Sequence, residues 1–336
     1  MLKEIEIQNF RCFEQIKISG FERVNLIGGK NNAGKTALLE ALFLNVAPEA
    51  SSLAILRELR REPLKTIEAM PDRAWDNLFY ALKKDRFIVI IGKNDNNNTD
   101  RVEIKLEINS VKSSILIEFM RDGDPFTWLS KKVSAIRLIS YDISTTGEVP
   151  IIPSFIRISG RELTEAYDNA RLDDKDSEVL KAFQILDPAI ESVESFSIGE
   201  PTLYLRRKGE KRLPLSLFGD AMNRVAYIML KLVNNNKYKI LLIDEIENGI
   251  HYTSQREFWR VLFRLAVELD TQIFATTHSL EMLQAFADVG LEPNQECNSA
   301  YFELAKKPKT NQIIGIRRDL ETLNYALEHQ KGVRGE

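Results

Sequence analysis

The 336-residue sequence predicts an α/β protein with a mixed central sheet, on three observations. A short apolar strand, Val24 to Ile27, runs into a glycine-rich loop and then a helix. A second continuous apolar strand, Lys239 to Asp244 (KILLID), ends in two carboxylates. A third, Gln272 to Ala275 (QIFA), is followed by Thr276-Thr277-His278-Ser279. Uninterrupted apolar runs of this kind suit parallel strands covered on both faces, and open α/β sheets place their sites at the carboxyl ends of such strands.

The remaining elements follow in chain order. In MLKEIEIQNF, Ile5 and Ile7 alternate with Glu4, Glu6 and Gln8, which predicts a half-buried strand and argues against a signal peptide. Thr36 to Val46 is rich in Ala and Leu and predicts a helix. Ser51 to Lys84 has a helical, charged pattern. Arg86 to Ile91, a polar turn at Asn94 to Asp100, the alternating run Val102 to Ile108, Ser113 to Met120 and Val133 to Ile139 predict an antiparallel β meander. Residues 150–197 are expected to be helical, with Ser177 as an N-cap. A strand is expected at Thr202 to Arg206, and helices at Asp220 to Val233, Ser254 to Leu269 and from Ser279. A strand pair (Ser299 to Leu304, Gln312 to Ile316) and a closing helix complete the chain. The expected organisation is a first lobe at 1–150, a helical insertion and hairpin at 151–212, and a second lobe at 213–336.

Composition bounds the function. At 44% hydrophobic and 28% charged residues the chain is globular throughout, and no apolar stretch is long enough to cross a bilayer. Two distant cysteines, Cys12 and Cys297, lack metal-ligand spacing and favour a reducing, cytoplasmic compartment. A formal charge of −3 does not suit a strong nonspecific nucleic-acid binder, so any DNA contact would be local.

Gly29-Lys30-Asn31-Asn32-Ala33-Gly34-Lys35-Thr36 fits the phosphate-binding pattern G-x-x-x-x-G-K-[ST] of P-loop NTPases. Amides of the loop and the helix N-terminus would face the phosphates. Lys35 would reach the β- and γ-phosphates of ATP, and the Thr36 hydroxyl would ligate Mg²⁺. In such a fold Asp244 would hold the metal's water shell, and Glu245 would activate the attacking water as a general base. An apolar strand ending in Asp-Glu is a weak signal alone, but a strong one in a chain with a P-loop. His278 falls at the same sheet edge and could contact the γ-phosphate; the plainer alternative is a capping loop before a helix started by Ser279. His251 is as consistent with a structural role as with a functional one, and His329 reads as a solvated residue of the last helix.

Together, Asn9-Phe10-Arg11-Cys12-Phe13, the P-loop with Asn31, Asp244-Glu245 and His278 resemble the ABC-type ATPase head of the SMC, RecF and OLD group. The segments DEIENGIH and ATTHS are most similar to stand-alone OLD-like ATPases. The resemblance implies Lys35, Thr36, Asp244, Glu245 and His278 (a switch histidine) in the roles above, with Asn248 and Gly249 in a loop communicating between two sites. It also implies a homodimer formed on ATP binding, each nucleotide held by one copy's loop and the other's signature segment. That signature, L-S-G-G-[QE], is matched here only by Leu217-Phe218-Gly219-Asp220-Ala221, with Phe218 in the serine's place. Gly219 and the helix N-terminus remain for phosphate, with Ser216 nearby, and slow turnover is expected. No glutamine-loop residue stands out. The stretch between Thr36 and Ser216 is too short and irregular for a long coiled coil, and the stretch after His278 is too short for the nuclease domain of OLD nucleases.

The resulting expectation is a MgATP-hydrolysing switch for a separate effector protein, in a setting such as antiphage defence. A DNA-repair or DNA-end clamp is the alternative. Arg206-Arg207-Lys208, Lys211-Arg212 and Lys306-Lys307-Lys309 could touch phosphates, although solvated hairpin turns explain them more simply. A GTPase is disfavoured because Asn236-Lys237 is followed by Tyr238 and Lys239, without the acid that reads guanine. A transporter ATPase subunit ranks low, because such subunits keep L-S-G-G-Q.

Overall fold

The computed structural model describes the chain apart from residues 63–69, 71–72, 74, 110–111, 122–128, 135–148, 156–158, 330–331 and 334–336. Its centre is a six-stranded sheet in the order β15-β14-β3-β13-β12-β8. Here β3 is Val24–Gly29, β8 Ile151–Ile152, β12 Ile240–Ile243, β13 Gln272–Thr276, β14 Ser299–Lys306 and β15 Ile313–Arg318. All neighbours are parallel except β15, which pairs antiparallel with β14, so the sheet is mixed as expected. Every residue of β3 and β13 is buried, as the unbroken apolar runs require.

A second six-stranded sheet is wholly antiparallel, in the order β2-β1-β4-β5-β6-β7. It comprises β1 (Leu2–Phe10), β2 (Phe13–Ser19), β4 (Ile88–Asn94), β5 (Thr99–Asn109), β6 (Lys112–Arg121) and β7 (Leu129–Ser134). The predicted meander is present, and β2 is an addition: Phe13, Ile16 and Ile18 face inward while the residues between them stay exposed. The predicted strand at Val133 to Ile139 is met only as far as Ser134, and 135–139 lie outside the described residues. A three-stranded sheet of β9 (Ile190–Phe196), β10 (Thr202–Arg207) and β11 (Leu213–Pro214) stands apart.

Helix α1 (Lys35–Val46) touches strands of both large sheets, and ten of its twelve residues are buried. An all-round buried helix has no solvent face, which is why its sequence is apolar without an amphipathic stripe. Phe21 closes the same core, edge-on to Phe274 at 4.9 Å and to Phe302 at 5.0 Å. On the other face of the parallel sheet lie α5 (Asp220–Val233), α6 (Gln255–Glu268) and α7 (Leu280–Gly290), with Trp259, Phe263 and Phe286 in mutual ring contact. The outer face of α6 carries Arg256, Arg260 and Arg264 at four-residue spacing. They pair with Asp288 at 2.7 Å, Glu292 at 2.8 Å and Glu178 at 2.5 Å, tying α6 to its neighbours. Helix α8 (Leu320–Glu328) ends the described fold.

Three expectations need correction. The helical stretch at 51–84 is a single helix, α2 (Ala50–Leu59), followed by short 3-10 turns at Asp76–Leu78 and Tyr80–Leu82, with most of 63–74 outside the described residues. The helical stretch at 150–197 divides into α3 (Gly160–Leu172) and α4 (Asp176–Leu186) and then becomes β9, because β10 supplies a pairing partner that local propensity cannot see. Ser177 is not an N-cap: α4 starts one residue earlier, with Lys175 in the cap position, no side-chain cap bond, and Asp176 and Glu178 in its first turn.

Removing the ring that closes the inter-sheet core tests this packing. Phe21→Ala should lower unfolding free energy by about 3–5 kcal/mol in urea titration; a loss below about 1 kcal/mol would contradict the assigned packing.

Candidate functional site

The phosphate-loop motif sits where β3 ends and α1 begins. Gly34 has φ 95°, and a Cβ there would stand 2.9 Å from both Cys12 Sγ and the Phe13 ring. Gly29 has φ 148°, and a Cβ there would meet the Leu304 carbonyl oxygen at 2.6 Å. Both positions therefore require glycine. Lys35 is buried and its Nζ donates to the carbonyls of Gly29 at 2.8 Å and Lys30 at 3.1 Å, which curls the loop around the ammonium.

Parallel pairing brings the ends of β12 and β13 beside the loop. Thr36 Oγ1 donates to Asp244 Oδ2 at 3.0 Å, and Thr276 Oγ1 donates to Asp244 Oδ1 at 2.6 Å. Burial pushes the Asp244 carboxyl above the usual aspartate range, against the pull of the Thr276 and Thr36 hydroxyls. A paired hydroxyl and carboxylate, both hard oxygen donors at the mouth of a phosphate loop, fit Mg²⁺, which keeps several waters and takes few protein ligands.

Glu245 has left-handed φ of 49°, and its N–H donates to Thr276 Oγ1 at 2.9 Å. The kink turns its side chain into the cleft. There Oε2 accepts from Asn248 Nδ2 at 2.9 Å, and Oε1 lies 3.3 Å from His278 Nε2. Asn248 Nδ2 also donates to the Ser154 carbonyl at 3.0 Å, just beyond β8. Ser279 is the N-cap of α7, accepting from the Met282 N–H, so the capping reading of this loop is correct. His278 also lines the cleft.

One cleft of about 670 Å³ is lined by Asn31, Asn32, Ala33, Gly34, Lys35, Thr36, Asp244, Glu245 and His278. Gly219 is not among its lining residues. With φ 87° it precedes the first turn of α5, and a Cβ there would meet nothing within 4 Å. Gly249 packs against that turn, where a Cβ would lie 3.2 Å from Ala221 Cα. Phe218, in the serine's position, packs partly into the core with the Arg207 guanidinium 4.9 Å from its ring centroid.

The cleft also contains groups to which the sequence assigned no role there. Arg11 and Arg60 line it, both held by Glu40, a buried carboxylate of α1: Arg11 Nε at 2.9 Å and Arg60 Nε at 2.6 Å. Burial alone would lower the Arg60 pKa, but the bond to Glu40 overrides it and holds the charge firmly. Arg11 stands in the quoted Asn-Phe-Arg segment, so a signal existed; nothing distinguished Arg60 or Glu40 from other charges on helices. Lys306, read from the sequence as part of a basic turn, also lines the cleft. Cys12 also lines the cleft, beside Gly34, and its thiol is pushed above its usual pKa by burial.

The loop's backbone gives a direct check. Gly34→Ala should weaken binding of a fluorescent ATP analogue by at least about tenfold, because the new Cβ is strained at a left-handed φ and collides with Cys12 and Phe13, displacing the loop. Unchanged affinity would contradict the loop geometry.

Comparison with known proteins agrees with this geometry. The family described as "AAA domain, putative AbiEii toxin, Type IV TA system" matches residues 24–283. A protein called ATP/GTP phosphatase from Helicobacter pylori is 25% identical over 385 aligned positions that cover 100% of each chain. The DNA double-strand break repair Rad50 ATPase of Archaeoglobus fulgidus is 46% identical over 44 residues, 13% of this chain and 5% of that one. An Smc head solved with the C-winged helix domain of ScpA superposes with a TM-score of 0.57 at 12% identity, covering 96% of this chain and 98% of that one. The Smc head thus shares its fold, and the family match spans most of the chain, from the first parallel strand to beyond the histidine, so the chain belongs to this AAA-domain family.

Proposed function

We propose that the chain hydrolyses MgATP at an interface between two copies of itself and that the nucleotide state switches a separate effector protein. The observation that carries the reading is the convergence of Lys35, Thr36, Asp244, Glu245 and His278 on one cleft around a phosphate-binding loop. In this reading the loop amides and Lys35 bind the β- and γ-phosphates. Thr36 and Asp244 hold Mg²⁺, which when bound neutralises charge on the phosphates. Glu245 accepts the proton of the attacking water. His278, within reach of Glu245, contacts the γ-phosphate.

Support for a second copy comes from the surface. Leu217 is 68% exposed, Tyr252 63% and Leu280 42%, and each lies within three residues of Gly219, Gly249 or His278. Apolar groups clustered around functional loops suit a face that a partner covers. The partner's Gly219 amide and helix N-terminus would then meet the γ-phosphate, and release of phosphate would open the dimer.

The effector reading is preferred over a DNA clamp because the basic turn is largely neutralised. Arg206 pairs with Glu191 at 3.5 Å, Arg207 with Asp187 at 2.5 Å and Arg212 with Glu194 at 2.6 Å. The toxin wording of the matched family and the resemblance to OLD-like ATPases support a role in antiphage defence. Salt-dependent DNA binding that requires ATP would favour the clamp instead. The relative called ATP/GTP phosphatase makes GTP a second candidate substrate, which nucleotide competition resolves.

Two variants test the proposal. Glu245→Gln should bind ATP, slow hydrolysis by at least about 100-fold and accumulate a dimer on size exclusion with MgATP; normal turnover would overturn the base assignment. Lys35→Ala should lose ATP binding in the same assay, and tight binding would overturn the loop assignment.

A further inference from the structure

A second glutamate lies beside the catalytic pair, and the reading above gives it no task. The chain turns sharply after Glu245, with the Ile246 N–H donating to the Thr276 carbonyl, Asn248 N–H to the Glu245 carbonyl and Ile250 N–H to the Glu247 carbonyl. This turn directs Glu247 back toward His278. Glu247 Oε1 accepts from the backbone N–H of His278 at 2.9 Å and lies 3.8 Å from its Nε2. The same Nε2 is 3.3 Å from Glu245 Oε1, so one ring nitrogen stands between two carboxylates. Glu247 is the more enclosed of the two, with its side chain 12% exposed against 32% for Glu245. Its Oε2 is buried with no hydrogen-bond partner among the described residues.

A buried carboxylate is costly unless it is paired. Glu247 Oε1 directs its hydrogen bond and its ion-pair contact to His278, once to the backbone and once to the ring. A solvated acid at a strand end would instead face water.

We propose that Glu247 is a positioning residue for His278, fixing the histidine's backbone and aiming Nε2 at Glu245 and at the γ-phosphate. The inference rests on the reading that Glu245 is the base and that His278 meets the γ-phosphate. Glu247 itself is not among the residues that line the cleft. Its effect is to keep the imidazole from swinging away while the site opens and closes around the nucleotide.

The test uses full-length Glu247→Ala, Glu247→Gln, Glu245→Gln and His278→Ala, with steady-state ATP hydrolysis, equilibrium binding of a fluorescent ATP analogue and melting temperature. Glu247→Ala should lower kcat about 10- to 100-fold, as loss of a supporting partner typically does, with KM and analogue affinity within about twofold. Glu247→Gln, which keeps an acceptor for the His278 N–H, should fall between it and the wild type. In a His278→Ala background the Glu247 substitutions should cause no further loss, because the two act as one unit. Equal fold-losses in both backgrounds, or an undiminished kcat in Glu247→Ala, would overturn the proposal. Should Glu247→Ala fail to fold, Glu247→Gln decides: no loss, or a loss that persists without His278, overturns it. If Glu245→Gln and His278→Ala turn over like the wild type, this proposal and the reading beneath it fall together. If those two are impaired and the Glu247 variants are not, only this proposal falls.

Discussion

The contact on which the site depends is the one between the Thr36 hydroxyl and the Asp244 carboxylate. It joins the first turn of α1 to the end of β12, across 208 positions of sequence, and it forms only if both parallel strands are in register with β13 between them. Ile273 pairs with Val24 and with Leu241, and that alignment sets the heights of the loop and the acid at the same sheet edge. Thr276 completes the arrangement from the middle strand, donating to Asp244 while accepting from the Glu245 amide. A hydroxyl on one strand thus fixes the carboxylate of Asp244 and the backbone of Glu245 at the end of the next.

That geometry has an electrostatic cost. Asp244, Glu245 and Glu247 crowd one strand end, and burial raises the Asp244 carboxyl above its ordinary range. The fold offsets the crowding with groups placed around it. Arg224 of α5 donates from Nη2 to the Asp244 carbonyl at 2.8 Å and from Nη1 to the Pro153 carbonyl at 2.5 Å, linking the helix after Gly219 to the acidic strand end and to the exit of β8. Asn248 makes a second link between the β8 exit and Glu245. The segment around Gly219, the loop after β8 and the acids at the end of β12 therefore form one connected hydrogen-bond network.

Much of this was legible from sequence because it is local. The phosphate loop is eight consecutive residues with its own strand and helix, and each parallel strand announces itself by an unbroken apolar run. Glu245 and His278 could be placed because both immediately follow such strands. What was not legible arises between distant segments. Glu40 lies in a helix whose pattern shows only burial, and its grip on Arg11 and Arg60 depends on β1 and α2 arriving from either side. β9 looked helical because its strand character comes from pairing with β10. Glu247 could be read only as part of an acidic turn, since the left-handed backbone at Glu245 that aims it is a tertiary fact. Lys306 looked like a solvated charge because nothing local says that β14 runs beside β3 and carries it to the cleft.

A crystal structure of the full chain with MgATP or a non-hydrolysable analogue tests the nucleotide site most directly. Hydrolysis at an interface between two copies predicts the triphosphate on the amides of the 29–36 loop and Mg²⁺ about 2.1 Å from Thr36 Oγ1. It further predicts Asp244 in the metal's coordination or water shell and a second copy's Gly219 facing the γ-phosphate. Nucleotide bound elsewhere, or bound in the loop with Gly219 of every copy turned to solvent, would contradict it.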